Sequence, residues 1–154
     1  MKQIVHHTDE YELIQSIYRN DKIEFLVWDK GDCRIKETST KYEEYEPLPL
    51  LWAEKGCLIL PTDYSMEAHD GLLGDLYAYF KNKVLIDDKY IWLMAAYAYY
   101  TWFYDKLSTA PYLFIVGDYG TAKTRILELL QFVSFNAVNL GTSVTNANIF
   151  RVQD

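Results

Sequence analysis

The chain has 154 residues, of which half are apolar and 24% charged, so it carries enough apolar surface to fold and is not a disordered tail. Its net charge of −7 argues against a nucleic-acid footprint spread over the whole chain. Two cysteines far apart, Cys33 and Cys57, with no Cys-x-x-Cys pair, predict reduced thiols and neither a disulfide framework nor a zinc site.

Residues 1–46 read as an amino-terminal α+β region with a β-hairpin. Residues 1–20 predict an irregular start and a short helix, capped by Thr8, with Leu13, Ile14, Ile17 and Tyr18 on one apolar face. Adjacent His6 and His7 cannot aim two rings at one metal from a strand or a helix, and read as a solvated terminus. Ile23–Trp28 is strand-like, Asp29–Asp32 is a turn, and Cys33–Thr38 returns alongside as a hairpin. Glu43, Glu44 and Glu46 lie in a charged run with Tyr42 and Tyr45 and predict a solvated face, not an acid–base pair.

Pro47-Leu48-Pro49 marks a boundary, after which residues 47–108 read as mainly helical. Cys57–Leu60 has the form of a short strand. Gly71–Phe80 predicts a helix with Leu72, Leu73, Leu76, Tyr79 and Phe80 inward. Val84-Leu85-Ile86-Asp87-Asp88 imitates the apolar-then-acidic end of a Walker B strand, but its apolar run is short and it precedes the phosphate loop. Asp87 or Asp88 is instead expected to cap the next helix. That helix, Tyr90–Tyr104, holds eight aromatics and no charge. It is shorter than the roughly 20 residues that cross a bilayer, and its tyrosine hydroxyls would lack partners in lipid. It is expected to be buried against the rest of the fold, with no membrane involved. No basic n-region and apolar h-region open the chain, and the expected location is cytoplasmic.

Residues 109–154 carry the main motif. Tyr112-Leu113-Phe114-Ile115-Val116 has the length and apolarity of a buried strand. Gly117-Asp118-Tyr119-Gly120-Thr121-Ala122 is a tight polar turn, and Lys123-Thr124 opens a helix with Ile126, Leu127, Leu129, Leu130 and Val133 on its apolar face. Strand, glycine loop, Lys-Thr and helix is the layout of a Walker A phosphate loop (P-loop). Glycines let backbone N–H groups approach phosphate oxygens, and the helix points its free N–H groups at the same charge. Gly117–Thr124 are therefore the candidate nucleotide-binding residues. Lys123 is placed to reach the outer phosphates, and the Thr124 hydroxyl to ligate Mg²⁺. The usual form is Gly-x4-Gly-Lys-Ser/Thr, and Ala122 stands at the second glycine. Because it leads into the helix, Ala122 is expected to have helical dihedrals.

GDYGTAKT resembles the loop of AAA+ ATPases, and most of all that of the minichromosome-maintenance replicative helicases, which also begins Gly-Asp and has Ala before Lys. Tyr119 stands where those helicases have Pro, and Thr124 where they have Ser. A wider likeness runs to helicase-like ATPases of prokaryotes and mobile elements. It is carried by the aromatic helix Ala95–Tyr104, by Pro111-Tyr112, by the loop and by Thr145-Asn-Ala-Asn-Ile-Phe-Arg151. The resemblance implies an α/β fold: the amino-terminal portion of a P-loop NTPase three-layer αβα fold, preceded by the small α+β region. It also implies ATP and Mg²⁺ as cofactors, ATP hydrolysis by a longer chain, assembly into an oligomer, and action on DNA in replication or maintenance through that assembly.

After the loop helix, Ala137–Leu140 predicts a second strand, Gly141-Thr142-Ser143 a turn, and Thr145 the cap of a further helix. No apolar strand ending in acid follows, so no catalytic carboxylate can be assigned. The expectation is the nucleotide-binding part of a longer ATPase or a truncated relative, which binds nucleotide and hydrolyses it negligibly by itself. The alternative is a non-catalytic nucleotide-binding or interaction module with the aromatic helix docking a partner.

Overall fold

Strand pairing around one tight turn sets the first half of the chain. In the computed structural model, which describes residues 2–32, 34–65, 70–109 and 111–139, β3 (Glu12–Arg19) and β4 (Lys22–Asp29) pair antiparallel over their full length, from Glu12↔Asp29 to Arg19↔Lys22. The two residues between them, Asn20 and Asp21, both have positive φ, 51° and 57°. That is the backbone of a type I′ turn, whose twist matches the strands and which Asn and Asp tolerate.

The short helix expected over residues 8–20 is therefore a strand. Its residues Ile14, Gln15, Ser16 and Ile17 are all buried. A central strand covered on both faces loses the alternation that would have marked it, and its apolar positions then also fit helical spacing. β2 (His6–Thr8) pairs with the other edge of β3, and β5 (Arg34–Ser39) with β4, giving the antiparallel order β2-β3-β4-β5. The β4–β5 hairpin forms as expected from the sequence, its turn held by Asp29 Oδ1 accepting from Gly31 N at 2.9 Å and Asp32 N at 3.0 Å. His6 and His7 lie half-buried within β2, not in a solvated terminus, and the His7 ring rests 5.0 Å from that of Tyr45.

β1 (Lys2–Ile4) and β6 (Tyr45–Pro47) form a separate parallel pair. One sheet face packs Ile14, Phe25, Val27 and Tyr42 into a core, and Ile23, Leu58 and Leu60 make a second. The Tyr42 hydroxyl donates to the Glu12 carboxylate at 2.8 Å. A short helix, α1 (Leu50–Glu54), follows the proline break. Leu58 makes an isolated bridge with Val138, and Asn139 N donates to Cys57 O at 2.9 Å. The strands expected at Cys57–Leu60 and Ala137–Leu140 are thus reduced to this one bridge among the described residues.

The molecule divides into two compact units, the described residues of 1–66 with those of 138–154, and the described residues of 67–137. The second unit is helical. α2 (Leu72–Lys81), α3 (Asp88–Thr101) and α4 (Lys123–Val133) share a core of Leu76 and Phe80, of Ile91, Met94, Ala95 and Ala98, and of Ile126, Leu129 and Leu130. Leu72, Leu73 and Leu127, expected inward, are exposed. Asp87 is the N-cap residue of α3, but its side chain makes no cap hydrogen bond. Asp88 instead pairs with Lys81 at 2.5 Å.

α3 is buried along one face only, since Tyr90, Trp92, Leu93 and Tyr99 are exposed. Its carboxyl end is tied to that of α4. The Trp102 indole N–H donates to Val133 O at 3.0 Å, and Thr101 Oγ1 accepts from Phe135 N at 2.9 Å. Among the described residues no helix is long and apolar enough to cross a membrane. The chain is thus a mixed α/β protein. The turn, cap and Thr-Asn-Ala-Asn-Ile-Phe-Arg segment expected beyond Leu140 lie outside the described residues, as does Cys33.

Candidate functional site

The residues entering the loop belong to no sheet among the described residues. Tyr112, Phe114 and Val116 are 86%, 82% and 91% exposed, while Leu113 and Ile115 pack on the helical core. No backbone hydrogen bond joins residues 112–116 to any described residue. The buried strand expected here is thus a half-buried segment. Its alternation is that of a strand with one covered face, and its ladder positions have no partner among the described residues.

The loop turns on two left-handed residues. Gly120 has φ 82°. Ala122 has φ 57° and ψ 21°, against the helical dihedrals expected of it. Glycine would adopt this backbone without strain. An L-residue in this region brings Cβ against the following carbonyl at a cost of about 1–2 kcal/mol. Gly117 leaves room for the Thr121 hydroxyl, since a Cβ on it would stand 2.6 Å from Thr121 Oγ1 and displace that hydroxyl from its place in the loop.

Within the loop, polar groups converge on the Asp118 carbonyl. It accepts from Thr121 N at 3.3 Å, from Thr121 Oγ1 at 2.7 Å and from Lys123 Nζ at 2.5 Å. Lys123 Nζ also donates to Gly117 O at 2.8 Å and lies 3.3 Å from Thr121 Oγ1. The ammonium is folded back into the concavity of its own loop. Lys123 and Thr124 are the first two residues of α4, and no side chain caps that helix. Its first intrahelical bond runs from Ile126 N to Ala122 O at 3.0 Å, and the first-turn N–H groups point toward the loop. Thr124 is exposed beside them, and Tyr119 projects fully into solvent from the loop tip.

The eight predicted residues are therefore one contiguous turn with a cation, a hydroxyl and a helix amino terminus at its mouth. Thr124 presents one exposed hydroxyl oxygen at the loop mouth. Among the described residues no group of three or more His, Cys, Asp or Glu side chains could hold a metal. Glu128 pairs with Arg125 at 3.4 Å, a turn into α4.

Sequence reasoning missed the surface beside the loop. A groove of about 510 Å³ opens there, walled by Ile86, Tyr90 and Leu93 on one side and by Leu113 and Phe114 on the other, with Lys123 at its polar end. The uniform apolarity of Tyr90–Tyr104 concealed it. With no polar residue to mark the outer side, Tyr90 and Leu93 look the same in sequence as the buried Ile91 and Met94. No protein-family model matches the chain, and neither a curated protein nor a solved structure matches it significantly.

Proposed function

We propose that Gly117–Thr124 binds the phosphates of a Mg²⁺-bound nucleoside triphosphate. The observation that carries this reading is the convergence of Lys123 Nζ and the uncapped start of α4 on a loop bent by Gly120 and Ala122. Phosphate oxygens would take over from the Gly117 and Asp118 carbonyls as acceptors for the ammonium, and backbone N–H groups would supply the remaining donors. Thr124 would give its hydroxyl to the Mg²⁺ that screens the phosphate charge.

The likeness of GDYGTAKT to AAA+ and helicase-like loops supports ATP as the nucleotide and the amino-terminal part of a three-layer αβα fold as the context. It supports, in the same measure, work on DNA by an oligomeric assembly. Hydrolysis by this chain alone should be negligible. Its loop contacts hold the ground state, and binding that is equal in ground and transition states does not speed chemistry. Asp118 lies within the loop and Glu128 is a turn down the helix, so neither is aimed at an attacking water.

Calorimetric titration with Mg-ATP tests the site. Lys123→Ala removes a charge-assisted contact of about 1.5–3 kcal/mol, so affinity should fall about tenfold or more. Equal binding by both proteins sinks the assignment. Phosphate release by the wild type should match that of Lys123→Ala, and a rate well above it would overturn the binding-only reading.

A second reading, as an interaction module, has one specific observation in its favour. Tyr112, Phe114 and Val116 expose apolar side chains on a segment with no ladder partner among the described residues, a surface suited to strand addition.

A further inference from the structure

We infer that the groove beside the loop is the base subsite of the nucleotide, and that it selects purines by area without separating adenine from guanine. This rests on the loop holding the phosphates. The groove is continuous with Gly117, Thr121 and Lys123, so a ligand with its anionic end at the ammonium extends its uncharged end between α3 and the Leu113–Val116 segment. Its volume of about 510 Å³ lies in the range of small-molecule sites.

The walls are aliphatic and aromatic. The side chains of Ile86, Leu93 and Leu113 offer no polar atom, and Tyr90 and Phe114 add aromatic rings to the lining, groups of the kind on which bases stack. A site rejects a near-isostere strongly only when it hydrogen-bonds the distinguishing group, and apolar walls discriminate by size alone. Most of the groove's lining is apolar, so nothing in its side chains distinguishes the 6-amino group of adenine from the 6-oxo group of guanine. A purine buries more ring area than a pyrimidine and should bind tighter.

Direct titration with Mg²⁺ complexes of tripolyphosphate, ATP, GTP and CTP separates this subsite from the loop. The expected order is ATP and GTP within about tenfold of each other, both about tenfold or more tighter than tripolyphosphate, with CTP between. Tyr90 and Leu93 are half-exposed, so Tyr90→Ala and Leu93→Ser should keep the fold, checked by circular dichroism. Each should weaken ATP and GTP about three- to tenfold, with the loss confined to nucleotides and tripolyphosphate bound as before. Three results overturn the inference while leaving the loop intact: ATP no tighter than tripolyphosphate, a GTP affinity differing from that of ATP by more than about a hundredfold, or equal losses for tripolyphosphate in both variants. Failure of tripolyphosphate and ATP alike to bind the wild type removes the loop reading and this inference with it.

Discussion

Two apolar segments of this chain have opposite fates. In the β-rich unit, every residue from Glu12 to Arg19 faces a partner on β4, and β2 covers part of the other edge. In the helical unit, Tyr112–Val116 is more apolar than β3, yet carries no ladder among the described residues. The difference lies in what adjoins each in sequence. Asn20-Asp21 turns β3 directly onto β4, whereas a 3₁₀ turn at Tyr104–Lys106 and the loop of α4 flank the other segment. Apolarity and β-branching extend a chain, but a neighbouring strand makes it a sheet.

Amide hydrogen exchange should show the contrast most sharply. The amides of Ile14 and Ile17 should exchange only through global opening, about 5–15 kcal/mol for a domain, and those of Leu113–Val116 nearly without protection. Comparable protection in both places would break the comparison. Core truncation comes next in size. Phe25 and Phe80 are fully buried, one in each unit, and Phe25→Ala or Phe80→Ala should cost about 3–5 kcal/mol in denaturant titration. A loss under about 1 kcal/mol for either would show its core wrongly drawn.

A smaller effect of opposite sign is expected at Ala122. Glycine would relieve about 1–2 kcal/mol of left-handed strain and loosen the unfolded chain by about 0.4–1 kcal/mol, for a net gain of about 0.5–1 kcal/mol. Thermal melts of Ala122→Gly check this, and a lowered midpoint contradicts the strained geometry. The smallest effect should be at Asp9. Backbone N–H groups of Glu12 and Tyr11, both 2.7 Å from its Oδ1, hold its carboxyl below the usual range. A depressed folded value means stability that is present above the ordinary carboxyl pKa and lost as pH falls through the folded one. The difference in melting temperature between wild type and Asp9→Ala should therefore be small at neutral pH and vanish on acidification. A difference that grows toward low pH would reverse the assignment.

What the sequence made legible follows the same division. The β4–β5 hairpin was readable because Asp29-Lys30-Gly31-Asp32 separates two strand-like runs, α2 and α4 because their apolar spacing and flanking breaks agree, and α3 because an unbroken uncharged run lies between charged residues. β3 was not, since Leu13, Ile14, Ile17 and Tyr18 satisfy helical spacing, and only the Asn20-Asp21 pair signals the turn. β1 and β6 were invisible because each is three residues long and pairs across more than forty positions. At the site, spacing alone brought Gly117, Lys123 and Thr124 together. The left-handed Ala122 escaped, although the glycine that the motif usually carries there was the available signal.

The turn at Asn20-Asp21 also bears on how quickly the β-rich unit assembles. Closing two residues forfeits little chain entropy, and hairpins of this kind form in about 1–10 μs. The parallel pairing of Lys2 with Tyr45 must instead close a loop of about forty residues before any ladder bond rewards it. The expected order is therefore hairpin first and parallel pair last. Destabilising substitutions at Asn20 or Asp21 should slow refolding, while those at Ile4 should mainly speed unfolding.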